Sequence, residues 1–206
     1  MTSEQYRVIG KDTPKLDGID KVTGRAKFGA DVYLPGMLVG KVLRSPYAHA
    51  IIKSIDTTRA EALPGVKAVI TSADIPEMVP GTPGRQGAIT DREYYQSREL
   101  MAREKVLFHG HTVAAVAAID ESTAEEALGL IDVEYEVLPH VLEPDIAMQS
   151  DAPLLHDTVH TRSQNGTSGE ASNLVEHWEL SRGDIERGFA EADSVIEESF
   201  RSQVVH

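Results

Sequence analysis

Seven consecutive apolar residues, Val113-Ala-Ala-Val-Ala-Ala-Ile119, constrain this chain more than any other feature. The run is far shorter than the roughly 20 residues a membrane span needs, and it has no polar side to turn to water. A strand apolar on both faces must be covered on both faces, so it belongs in the middle of a sheet. The residues after it agree with that reading. Ser122 is placed to cap a helix, and Glu125 three positions later completes a capping box. Ala124, Ala127, Leu128 and Ile131 then fall at i, i+3, i+4 and i+7, one buried stripe. The next strand alternates, with Asp132, Glu134 and Glu136 outward and Val133, Tyr135 and Val137 inward, until Leu138-Pro139 ends it.

Upstream, a polar stretch through about Gly24 reads as an extended arm. Leu38–Leu43 and Ile51–Ile55 have strand composition and are separated by Ser45-Pro46-Tyr47. Asp56 can cap a short helix with Thr57, Ala60 and Leu63 on one face, and Val66–Ile70 returns as a strand after Pro64-Gly65. Asp74 to Arg103 is a long polar excursion around a Gly-rich knot, Gly81-Thr-Pro-Gly-Arg-Gln-Gly87, of the kind that usually serves as a functional loop or contact surface. Val106-Leu-Phe precedes the central strand. Beyond His140 the chain reads as a linker to about Ser172. A strand-like piece at Leu174–Leu180 follows, then a helix capped by Asp184 with Ile185, Phe189 and Ala192 on one side, and a strand-like run at Ser194–Ser202. This tail is too short to bury a core alone.

Composition excludes several functions. With 33 Asp+Glu against 20 Lys+Arg, the net charge of −13 argues against a nucleic-acid partner. No cysteine is present, which removes disulfides, iron–sulfur ligation and thiol catalysis together. The first residues, MTSEQYRVIGKDTPKLDG, contain no apolar signal core, so a cytoplasmic protein without a membrane segment is the expectation. Asn165-Gly166-Thr167 fits the glycosylation triplet, which carries little meaning without secretion.

No catalytic constellation stands out. His109-Gly110-His111 could present two imidazoles to a metal at a strand end, making a metal-dependent hydrolase one reading, but no further ligand pattern accompanies it. Ser45, His49 and Asp56 have the residue types of a triad, yet Ser and His four apart on extended chain lie about 13 Å apart. The Gly81–Gly87 knot lacks the Lys-Ser/Thr ending of a phosphate loop. Glu134 with Glu136 and Glu197 with Glu198 read as solvated strand faces, and Trp178 as a packing residue in the tail.

One stretch, Gly40-Lys-Val-Leu-Arg-Ser-Pro-Tyr-Ala-His-Ala-Ile-Ile-Lys-Ser-Ile-Asp56, strongly resembles a signature in the large subunit of molybdenum hydroxylases. These enzymes include xanthine dehydrogenase, aldehyde oxidase, aerobic carbon monoxide dehydrogenase and 4-hydroxybenzoyl-CoA reductase. The resemblance continues in order through Lys21–Asp31, Pro64–Pro76, Ala127–Pro139 and Gly183–Asp193. It departs at Gly110-His111-Thr112, where the family usually has Gly, an acidic or amide residue, then Pro.

The resemblance implies an α+β chain: an arm over 1–24, a small "hammerhead" α/β domain over 25–140 with a mixed sheet and two to three short helices, a linker over 141–172, and the first strands and helix of the molybdopterin-binding domain over 173–206. It implies a structural segment of an enzyme that oxidises aldehydes, N-heterocycles or similar substrates using water at a molybdenum–pterin centre. The [2Fe–2S] clusters and FAD would sit on partner subunits. The family's pterin-contacting loops and its catalytic Glu lie beyond the position matching His206, so no residue here is assigned as catalytic, cofactor-binding or metal-ligating. The expected partners are the remainder of the molybdopterin subunit, the iron–sulfur subunit and a flavin subunit, with Arg44, Tyr47 and His49 the expected subunit contacts. A tail ending within a strand suggests a split gene, a truncated gene or a cut chain. A stand-alone non-catalytic module is the other reading.

Overall fold

A computed structural model describes residues 9–12, 14–84 and 87–202. The chain divides into two compact units, Met1–Leu138 and Pro139–His206. The expected arm at 1–24 begins outside the described residues; its described part holds one helical turn, α1 (Gly18–Val22).

The first unit then runs β1 (Val39–Arg44), β2 (Ala50–Asp56), α2 (Thr58–Glu61), β3 (Val66–Thr71), the short pair β4 (Pro83–Gly84) and β5 (Gly87–Ala88), α3 (Asp91–Leu100), β6 (Lys105–Val106), β7 (Thr112–Ala118), α4 (Glu121–Gly129) and β8 (Asp132–Val137). Two three-stranded sheets result, in the orders β1-β7-β3 and β6-β2-β8. All their pairings are antiparallel. Although α2 links them, β2 and β3 therefore lie in different sheets. Only residues 57–65 connect the two strands, and a parallel crossover needs a dozen residues or more.

As its composition demands, β7 is central. Ala114, Val116 and Ala118 pack with Ala60, Ala124, Ala127 and Ile131 in one core, and Val113 joins Ala50, Ala102 and Val106 in a second. Alanine on both surfaces lets α4 approach the sheet closely, so small side chains fill the gap without voids. Lys41 on β1 fastens the far side of α4 through Glu121 (2.6 Å) and Glu125 (3.1 Å).

Four local expectations change. The cap of α4 is Asp120, whose carboxylate accepts from the Thr123 amide at 2.7 Å, and not Ser122; the helix starts earlier than the capping-box reading places it. The 74–103 excursion contains a ten-residue helix, α3, opened by a reciprocal box in which Glu93 N–H donates to Thr90 Oγ1 (3.3 Å) and Thr90 N–H donates to Glu93 (2.8 Å). On β8 the alternation holds through Tyr135, but Val137 is 56% exposed. Val106-Leu-Phe contributes only Lys105–Val106 to a strand, because Phe108 already belongs to the turn leading to β7.

The second unit contains α5 (Pro144–Ala147), β9 (His160–Ser163), β10 (Gly166–Ala171), β11 (Glu176–His177) and α6 (Ile185–Ala190). The stretch read as a linker thus holds a helical turn and a hairpin, and Asn165 and Gly166 sit at the turn between β9 and β10, with Gly166 at φ +118°. Among the described residues the one parallel pairing is here, β11 against β9, so the mixed sheet lies in this unit, whereas the described sheets of the first are antiparallel. Asn173 clasps the unit: its Oδ1 accepts from the Leu155 amide (2.9 Å), and its Nδ2 donates to the carbonyls of Ala147 (3.1 Å) and Pro153 (3.0 Å). Asp184 caps α6 as expected, accepting from the Arg187 amide at 2.9 Å. Ser194–Ser202 forms no strand. Trp178 is 66% exposed, so it is not a packing residue within the described chain. Among the described residues no helix is long and apolar enough to cross a membrane.

Candidate functional site

The two turns that precede β2 and β7, residues 45–49 and 107–111, lie against each other. Ser45 N–H donates to the His111 carbonyl (2.9 Å), and Gly110 N–H donates back to the Ser45 carbonyl (2.9 Å). The Arg44 guanidinium closes the pair on the Gly110 carbonyl at 2.9 Å. Gly110 has φ +82°, a left-handed conformation for which glycine carries no Cβ penalty.

The first turn is held by its own serine. Buried Ser45 accepts from the Tyr47 amide at 3.0 Å and donates to the Tyr47 carbonyl at 3.2 Å. Tyr47 then meets Tyr135 of β8 edge to face, with ring centroids 5.2 Å apart. Burial pushes the Tyr135 phenol above its usual range. Of the three residues expected to contact a partner, Arg44 and Tyr47 lie at the surface, whereas His49 is 6% exposed and faces the interior. The Ser45 hydroxyl is committed to backbone groups and Asp56 lies at the far end of β2, so no triad forms.

The two histidines of His109-Gly110-His111 part company. His109 is exposed on the turn, while His111 is fully buried. His111 Nδ1 accepts from the Leu107 amide at 3.2 Å, and its ring stacks on Phe108 with centroids 4.4 Å apart. With Nδ1 an acceptor, the neutral ring carries its proton on Nε2. That nitrogen is buried and meets no partner in hydrogen-bond geometry among the described residues. The carbonyls of Arg98 and Glu99, at the end of α3, still act on the ring and favour its charge, but burial outweighs them and lowers the pKa. His111 is thus buried with Nδ1 engaged in its own turn, while His109 points to the exposed side of that turn. Among the described residues no group of three or more His, Asp or Glu side chains could hold a metal ion.

Two arginines fasten the excursion between these turns, and neither was legible as functional in the sequence. Arg103 donates to the carbonyls of Ser72 (3.0 Å), Ile75 (2.6 Å) and Pro76 (3.2 Å). Arg98 pairs with Glu77 (2.8 Å) and with Glu104, and stacks over Tyr94 at 4.6 Å from the ring centroid. Both lie in a polar run with nothing local to mark them off. The hairpin β4–β5 leads into α3, but the Glu93 amide in its first turn donates to Thr90 Oγ1, and the Glu93 carboxylate, which accepts from the Thr90 amide, repels an anion.

The donor set here does not fit the cofactors of the family resemblance. Thiolates for an iron–sulfur cluster are absent from the whole chain. Among the described residues, one open groove is lined by Ile185, Phe189, Val195 and Ile196 and is apolar, and another is lined by Met78, Glu93, Gln96, Glu99 and Leu100, whose carboxylates would oppose a phosphorylated pterin.

What fold and site define, then, is a paired-sheet α/β body whose polar residues are spent on holding turns. The family described as aldehyde oxidase and xanthine dehydrogenase, a/b hammerhead domain, matches residues 23–139. The carbon monoxide dehydrogenase large chain of Afipia carboxidovorans is 38% identical over 210 residues, which cover 99% of this chain and 25% of that one. The xanthine dehydrogenase molybdenum-binding subunit of Escherichia coli is 32% identical over 191 residues, 93% of this chain and 24% of the relative. Among solved structures, quinoline 2-oxidoreductase from Pseudomonas putida 86 superposes with a TM-score of 0.66 at 34% identity, over 91% of this chain and 22% of that chain. Reconstituted CO dehydrogenase from Oligotropha carboxidovorans gives 0.64 at 36% identity, over 90% and 22%.

The chain belongs to the aldehyde oxidase and xanthine dehydrogenase hammerhead family, the molybdenum hydroxylase large subunits. It spans about a quarter of the length of these curated relatives.

Proposed function

We propose that this chain works as the N-terminal structural segment of a molybdenum-dependent oxidoreductase large subunit. In this reading it buttresses the molybdopterin domain, contacts the iron–sulfur subunit and has no activity alone. The complete cytoplasmic enzyme would oxidise an aldehyde, N-heterocycle or similar substrate with oxygen from water, and electrons would leave through iron–sulfur and flavin subunits. One observation carries the reading: relatives match this chain along nearly its full length while being about four times as long. Exposed apolar residues that line one groove of the second unit, Ile185 (55%), Phe189 (61%) and Ile196 (83%), support it, since clustered apolar surface usually marks contact with another protein surface. Arg44 and Tyr47 are the proposed subunit contacts, with buried His49 supporting their turn.

Affinity purification of the tagged chain from its own host, with metal analysis of what accompanies it, tests the proposal. The expected result is co-purification of a molybdenum-containing partner, weakened in an Arg44→Glu, Tyr47→Ala variant. Recovery as a lone, molybdenum-free chain would overturn it and leave a stand-alone hammerhead module.

A further inference from the structure

Among the cations of β1 and β2, Arg44 alone meets no acid within the described residues. Lys41 pairs with Glu121 and Glu125, and Lys53 with Glu136. Arg44 is exposed and donates instead to the Gly110 carbonyl at 2.9 Å, the one polar contact of its side chain among the described residues. That bond fixes the guanidinium across two turns and leaves most of its N–H fork unused. A planar fork held in this way suits a carboxylate, which it can meet with two parallel hydrogen bonds.

The turns that Arg44 bridges share this bias. Residues 45–49 and 107–111 contain no Asp or Glu, in a chain with 33 acids against 20 Lys+Arg. Glu104, just ahead of the second turn, is held by Arg98, and Glu136 by Lys53. What the turns expose is two aromatic rings, Tyr47 and Phe108, and the imidazole of His109. Each aromatic ring is braced from within, Tyr47 edge to face on Tyr135 and Phe108 by stacking on buried His111. The backbone beneath is cross-bonded through Ser45, so little order is left to lose on binding. Arginine and tyrosine in such settings carry much of the energy of protein interfaces.

We infer that this patch, resting on the subunit reading above, receives one Asp or Glu side chain from a partner subunit. Arg44 takes the carboxylate as a bidentate pair, Tyr47 and Phe108 take the apolar carbon around it, and His109 donates a hydrogen bond from the rim. Phe108 and His109 thereby join Arg44 and Tyr47 as contacts. Charge selects this occupant. A net charge of −13 repels a polyanion such as nucleic acid or an anionic membrane. A single carboxylate seated on Arg44 is governed by its nearest neighbours, because more distant surface charges are screened beyond about 8 Å.

The affinity of the tagged chain for the molybdenum-containing partner it brings down, measured at low and high salt, tests this. Arg44→Gln keeps an N–H for the Gly110 carbonyl but removes the charge. It should weaken the complex by at least about tenfold and flatten its salt dependence. Arg44→Lys should restore the salt dependence without the full affinity, because a point charge cannot form the bidentate pair. A photoreactive benzoylphenylalanine in place of His109 should attach to a partner peptide that contains Asp or Glu. Changing that acid to Lys should then restore binding to Arg44→Glu. Should Arg44→Gln fail to fold, His109→Glu decides, since an acid on that exposed turn should repel the carboxylate and weaken binding several-fold. A wild-type chain that binds no partner would overturn the subunit reading and the patch together. A complex that forms but is indifferent to these substitutions would overturn the patch alone.

Discussion

The first unit follows one chain path twice. Residues 39–71 run strand, turn, strand, helix, strand as β1, β2, α2 and β3, and residues 105–137 repeat the order as β6, β7, α4 and β8. Each half lends its strands to the other: β1 and β3 flank β7, and β6 and β8 flank β2. The register respects the exchange, with Arg44 at the end of β1 opposite Thr112 at the start of β7, and Val106 at the end of β6 opposite Ala50 at the start of β2. Each second strand has seven residues and follows a buried histidine, His49 or His111.

The halves differ in what covers these equivalent strands. Six residues of β1 shield β7 on one side and β3 shields it on the other, with α4 across a face. Only two residues of β6 reach β2, and α2 is a single four-residue turn. So β7 is apolar from Val113 to its end, while β2 carries exposed Lys53 and Ser54, Lys53 pairing outward with Glu136. The same backbone path takes opposite compositions because coverage, and not position along the strand, decides which side chains lose contact with water.

One charge placed at equivalent points tests that contrast most severely. Val116 is 2% exposed and Ser54 is exposed; Val116→Asp should cost about 4 kcal/mol or more, and Ser54→Asp no more than about 0.5 kcal/mol, read from urea midpoints. Similar losses would mean that the halves are equally covered. A middle effect comes from packing. Ala127→Leu inserts extra carbons between α4 and β7 and should cost about 1–3 kcal/mol, with the near-UV signal retained, because the sheet behind it is held by pairing on both edges. Tolerance of that change would show that α4 is not closely seated.

The smallest effect concerns the carboxylates ahead of the two helices. Asp120 is the cap of α4, whereas the cap position of α2 is Thr57 and not the expected Asp56. Asp56 sits one residue earlier and accepts from the Thr58 amide at 3.0 Å. Asp120 is held below the usual carboxylate range first by the Thr123 amide, and Asp56 by Thr58. A depressed carboxyl stabilises above its ordinary value, near 3.8, and that contribution fades as pH falls through the lower folded value. Asp120→Asn keeps an acceptor but removes the titration. The wild-type advantage in urea midpoint should therefore vanish on acidification below about pH 4, and an advantage constant with pH would contradict the assignment.

Much of this was legible locally. The both-faces-apolar run of β7, the stripe of α4 and the outward acids of β8 each follow from the side-chain period of one element. The Thr90-Asp-Arg-Glu93 box was equally local, and its helix was missed because the surrounding Pro and Gly made the whole stretch look irregular. The shift of the α4 cap to Asp120 is a choice between two nearby competent residues, which only the geometry of the preceding strand resolves. Arg98 and Arg103 were invisible for a different reason: their partners, from Ser72 to Glu104, are set by how the excursion folds back.

Periodicity and capping act within a few residues, so most strands and helices of the first unit, and the faces they must hide, could be read from the chain before any folding was considered. Composition likewise excluded sulfur chemistry outright, and the ordered motifs carried the family pattern. Tertiary packing was needed to establish that the two halves exchange strands, that His49 and His111 go inside while His109 stays out, and that one turn locks onto the other. Those outcomes depend on hydrogen bonds and burial between residues some sixty positions apart, such as Ser45 and His111, and no local propensity reports on a partner that far away.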